Sequence, residues 1–132
     1  MTVSYVIALG RIAFGAGLVV APTMGARLYL GSEASRPSVR FMSRVFGGRD
    51  IALGLFLLDA LRNDRRADAA RALWLGAACD AWDATAAVRD RRLPRLGRAV
   101  VGATGATFAA LGALAAVPPA DPFASAAGAH AA

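Results

Sequence analysis

At 132 residues the chain has room for one domain of ordinary size and no second core. Its hydrophobic fraction is 57%, above the ~45–50% of soluble domains, yet aromatics make up only 8%; this alanine-, leucine- and valine-rich composition, with no sustained alternation of period two, excludes a sheet protein and predicts an all-α fold. The net charge of +6 rests on arginines gathered between apolar segments and not along one face, which argues against a nucleic-acid partner.

The first apolar segment runs from Val3 to Val20 and is ended by Ala21-Pro22, because proline breaks a helix and biases its predecessor out of the helical region. Arg11 interrupts that segment where a signal peptide needs an unbroken apolar core, so it reads as a retained helix. A short amphipathic stretch follows over Met24–Leu30, stopped by Gly31-Ser32, and a polar loop leads to Pro37. The second long helix, Val39 to Leu61, carries Arg40, Arg44, Arg49, Asp50 and Asp59. By itself it is a poor spanning segment, since a charge near the bilayer centre costs ~2.5–3.5 kcal/mol on insertion scales.

After the hydrophilic turn Arg62–Arg66, a third helix spans Ala67 to Val88 with Arg71, Asp80 and Asp83. The basic loop Arg89–Arg95 and Pro94 separate it from a fourth helix, Gly97 to Val117. That segment belongs to a run without charge from Ala99 to Ala120, long enough for the ~20 residues that cross a hydrocarbon core. Pro118-Pro119 ends it, leaving 118–132 as a tail read as disordered. The pattern predicts a single membrane domain over 1–117, a four-helix transmembrane bundle of up-down topology. Such a protein would be multi-pass in a bacterial inner (plasma) membrane. Gly102, Gly105, Ala109, Gly112 and Ala113 keep the fourth helix small for close packing, as do Gly10, Gly15 and Gly17 on the first.

Charges within membrane helices need partners. If the second and third helices form an antiparallel hairpin around Asp64, Arg49 lies level with Asp80 and Arg44 with Asp83. The helical phases differ, since Arg44 and Arg49 are ~140° apart and Asp80 and Asp83 ~60° apart, so both pairs cannot be ideal together. Arg11, near mid-depth, is placed to join Asp50 or Asp83. The functional reading of Arg11, Arg44, Arg49, Asp50, Asp80 and Asp83 is an ion or proton relay or a polar headgroup site. The structural reading is mutual neutralisation that sets helix register.

Other chemistry lacks residues. The single cysteine, Cys79, excludes an internal disulfide, and the single histidine, His130, gives no histidine-based metal site within one chain. Asp80-x-x-Asp83 is similar to the aspartate motif of CDP-alcohol phosphotransferases, but Ala84 stands where that family has glycine and only Asp90 follows downstream. Divalent metal needs more oxygen ligands than these. No cofactor is expected.

Leu9-Gly10-Arg11 with Gly15 and Pro22, the stretch Arg44-Val45-Phe46-Gly47-Gly48-Arg49-Asp50-Ile51-Ala52-Leu53-Gly54, and Asp80 with Asp83 before a basic loop together resemble an uncharacterised family of small four-helix membrane proteins, domain of unknown function 4267. The resemblance spans about the whole chain and implies a membrane location, with Arg49, Asp50 and Asp83 at motif positions. It implies no activity. The reading is a non-enzymatic accessory or self-associating membrane bundle, with lipid, further copies or a larger membrane complex as partners. The alternatives are a transporter or channel component, a metal-dependent lipid-headgroup enzyme, and a soluble four-helix bundle.

Arginine counts give the orientation. Arg27, Arg36 and Arg40 in loop one and Arg89, Arg91, Arg92, Arg95 and Arg98 in loop three outnumber Arg62, Arg65, Arg66 and Arg71 in loop two, which places loops one and three in the cytoplasm. The N-terminus, loop two and the tail then lie outside.

Overall fold

The computed structural model describes residues 2–117, so the expectation for the tail falls outside the described residues. All regular structure in this range is helical: α1 (Thr2–Val20), α2 (Pro22–Leu30), a 3-10 turn (Gly31–Ser35), α3 (Pro37–Arg62), α4 (Arg66–Arg89) and α5 (Arg95–Ala116). Prolines set the starts. Pro22 and Pro37 occupy first-turn positions where the missing N–H costs nothing, and Pro94 caps α5. Gly31 closes α2 at φ +57°, and Asp64 takes φ +52° in the turn between α3 and α4. Aspartate tolerates this left-handed conformation better than most residues because its short polar side chain bonds locally.

The long helices pair as α1 with α3 and α4 with α5, and the two pairs meet mainly where α3 packs on α4. Each pair is antiparallel along a seam of small residues. On α1 the seam is Ser4, Ala8, Arg11, Gly15 and Leu18, and on α3 it is Ser43, Gly47, Asp50, Gly54 and Leu57. Spacings alternate between four and three, the 3.5-residue period that keeps one stripe facing a partner helix. A Cβ on Gly15 would lie 2.5 Å from the Gly47 carbonyl oxygen, and one on Gly54 would lie 2.8 Å from the Ala8 carbonyl oxygen. The backbones are in contact there, which only small residues allow.

The second seam follows the same rule. Leu73, Ala77, Asp80, Ala84 and Ala87 of α4 face Gly102, Gly105, Ala109, Gly112 and Ala116 of α5, with a Gly105 Cβ 2.8 Å from the Asp80 carbonyl oxygen and a Gly112 Cβ 3.3 Å from Ala77. Of the glycines expected to pack on α1, Gly15 does so; a Cβ on Gly10 or Gly17 would meet nothing within 4 Å.

Most large side chains point the other way. Leu57 is the only large residue buried to within 2% among the described residues, whereas Val6, Phe14, Val20, Phe41, Trp74, Trp82, Phe108 and Leu114 are exposed. A compact apolar core, Ala8, Leu57, Leu58, Ala60, Ala69, Ala72, Leu73 and Ala116, sits toward the α3–α4 turn. The antiparallel seams bring the start of α3, the short α2 and the α4–α5 loop to the opposite end, where α2 packs on α5.

Candidate functional site

The centre of the protein is charged. Arg11 lies at the midpoint of α1, Arg49 and Asp50 at the midpoint of α3, and Asp80 and Asp83 one turn apart on α4. Arg11 Nη1 donates to Asp50 Oδ1 at 3.1 Å, and its Nη2 donates to Asp80 Oδ2. Arg49 Nη2 donates to Asp83 Oδ2 at 2.9 Å and lies 3.3 Å from Asp50 Oδ1, while Nη1 is 3.4 Å from Asp83 Oδ1. The result is an alternating ladder, Asp80, Arg11, Asp50, Arg49, Asp83, tying three helices together. Asp50 is its most buried member, with a side chain 7% exposed, and it alone touches both guanidinium groups. Three carboxylates against two guanidinium groups give the ladder a formal charge of −1.

Local packing explains why these side chains meet. Arg11 and Asp50 sit at equivalent places on the α1–α3 seam, each flanked by small residues seven apart, so the backbones come close enough for a direct pair. Arg11 then reaches across to α4, where Gly76 leaves the space its guanidinium fills: a Cβ there would be 2.8 Å from Arg11 Nη2. Arg49 lies with its guanidinium carbon 5.3 Å from the Phe46 ring centroid, a cation–π contact one turn back on the same helix. Its Nε is buried without a hydrogen-bond partner among the described residues.

The pairing differs from the level-for-level hairpin in two ways. Arg49 engages Asp83 and Asp50, not Asp80, and Asp80 is taken by Arg11. Helical side chains tilt toward their own N-terminus. On antiparallel α3 and α4 this carries Arg49 and Asp83 toward each other along the axis, and it carries the side chains of Arg11 and Asp80, on helices running the same way, to the level of Gly76. Arg44 is the second correction. It lies outside the ladder, exposed, with its Nε 3.5 Å from the Val19 carbonyl oxygen at the end of α1 and no carboxylate within 4 Å among the described residues. Being ~140° from Arg49 around α3, it faces α1's end instead of α4.

No family model, curated protein or solved structure matches the chain. Its chemistry is therefore read from these residues alone. The ladder offers acceptors already engaged by guanidinium groups, and the described residues hold no group of three or more histidine, cysteine, aspartate or glutamate side chains arranged for a metal ion. Gly102, Gly105 and Gly112 lie on the α4–α5 seam, with Ala109 half-buried beside them, and take no part in the ladder. Gly76 and Gly54 are the positions that sequence reading missed. For Gly54 the signal was present, as the seven-residue step from Gly47 on one helical face; for Gly76, one small residue in an alanine-rich helix, there was none.

Proposed function

We propose that the chain is a small multi-pass integral membrane protein, an up-down bundle of α1, α3, α4 and α5 without catalytic activity, in which the Arg/Asp ladder fixes helix register. The supporting observation is the inverted distribution of side chains: small residues and the ladder charges face inward with a few leucines, and most large apolar residues face outward. Helices α1 and α5 are long and apolar enough to cross a bilayer, and only 22% and 17% of their apolar windows are buried within the protein. The core helix of a soluble protein would hide most of that surface, whereas lipid accepts it. The ladder makes the mid-helix charges of α3 and α4 tolerable in that setting, because Arg49, Asp50, Asp80 and Asp83 are each paired and hydrogen-bonded. The stretch from Arg44 to Gly54, which carries the resemblance to the uncharacterised membrane family, supplies two of the five ladder residues. Alkaline carbonate washing of membranes tests the proposal: the protein should stay in the pellet, and full release would refute it.

The ladder's formal charge of −1 favours a second reading, a proton- or ion-coupled transport component. Ion flux into liposomes that is lost in a folded Asp80→Asn protein would select this reading over the structural one.

A further inference from the structure

The second charged feature lies at the opposite end from the α3–α4 turn. Where α1 breaks into α2 against the start of α3, there is a cavity of about 370 Å³ lined by Val20, Ala21, Thr23, Ser35, Arg40 and Arg44. We propose that this cavity binds a phosphate group, with Arg40 and Arg44 as its paired cations.

The two arginines are one helical turn apart on the same face of α3, and like charges so placed repel each other. Neither has a carboxylate within 4 Å among the described residues, and the nearby Glu33 is committed to Arg36 at 2.7 Å. Arg11 and Arg49, by contrast, are each paired with aspartates. Among the described residues Arg44 uses only Nε, toward Val19, which leaves its two Nη groups to take an oxyanion in the forked geometry guanidinium prefers. Neutral donors complete the wall. Thr23 and Ser35, each carrying a hydroxyl, line the cavity beside them.

The surroundings favour the phosphate of an anionic lipid over free phosphate. Val20 and Met24, 83% and 75% exposed, flank the cavity with apolar surface that an acyl chain would cover. The same end carries the arginine-rich loops one and three, which the charge rule assigns to the leaflet holding anionic lipid. This choice of source rests on the membrane reading; the phosphate site does not.

The test uses the full chain purified in a non-ionic detergent and titrated with phosphatidylglycerol, phosphatidylcholine or inorganic phosphate, with bound adducts read by native mass spectrometry. Phosphatidylglycerol should bind in preference to phosphatidylcholine, and Arg40→Gln with Arg44→Gln should weaken it by about tenfold or more, as expected for a lost charge-assisted hydrogen bond. Arg62→Gln with Arg66→Gln removes equal charge from the other end and should change binding by less than about twofold. Arg40→Gln alone, at an exposed side chain without hydrogen bonds, keeps the test valid if the double variant misfolds. Saturation by inorganic phosphate without lipid, lost in the same variants, would support the site and assign it to free phosphate. Equal losses in both double variants, or no binding of either probe, would overturn the proposal. A protein that is released by carbonate yet still binds inorganic phosphate through Arg40 would refute the membrane reading alone.

Discussion

Replacing Arg11 by methionine keeps most of the side chain's bulk and removes the charge that joins α1 to both α3 and α4. Asp50 retains Arg49 at 3.3 Å, but Asp80, whose side chain is 13% exposed, loses its only ion-pair partner among the described residues. Breaking a buried pair from one side costs ~3–5 kcal/mol because the surviving charge is left uncompensated, so Arg11→Met should destabilise by about that amount. Asp80→Asn should cost less, since it removes one of three negative charges and brings the ladder to formal neutrality. Adding Asp80→Asn to Arg11→Met should then recover ~1–3 kcal/mol, the usual coupling between residues in one charged network. Reversible unfolding of the four proteins in mixed micelles, followed by helical circular dichroism, gives the cycle. Losses that simply add would show that Arg11 and Asp80 are energetically independent and would refute the ladder as the element that sets register.

Other consequences follow from packing and orientation. Gly15→Ala puts a methyl group 2.5 Å from the Gly47 carbonyl oxygen, a backbone atom that cannot step aside, and should cost ~1–3 kcal/mol; Gly10→Ala, which meets open space, should be neutral or stabilising by ~0.5–1 kcal/mol through helix propensity. Unfolding of the two variants side by side checks the sign of each. For orientation, on a Cys79→Ala background a membrane-impermeant thiol reagent applied to intact cells should spare Ser35→Cys beside α3's start and modify Asn63→Cys in the α3–α4 turn, both exposed positions. The reverse pattern would invert the topology and put the phosphate site in the outer leaflet.

Much of this fold is legible in the sequence because its punctuation is local. Pro22, Pro37 and Pro94 start helices, Gly31 stops one, and the arginine-rich breaks fall between the four long helices as the charge pattern places them. Depth also offers Asp50 as one of two partners for Arg11, the other being Asp83, and Arg11 takes Asp50 together with Asp80. The remaining pairings could not be anticipated from depth, because counting residues from a turn gives the level of a Cα and not of a guanidinium group, which lies several bonds away and tilts along the helix. That offset moves Arg49 from Asp80 to Asp83. Which glycines pack is likewise a question of phase: Gly15 shares a stripe with Ala8 and Leu18, and Gly10 and Gly17 do not.

The central claim is that the large apolar side chains face acyl chains, and Trp74 and Trp82 report on it directly. Both are exposed on α4, 53% and 71%, and each lies ~10–12 Å along the helix axis from its nearer end. In liposomes, lipids brominated along the acyl chain should quench their fluorescence strongly, and aqueous iodide should quench it weakly. Strong iodide quenching with no effect of brominated lipid would mean that this surface meets water, and would contradict the account.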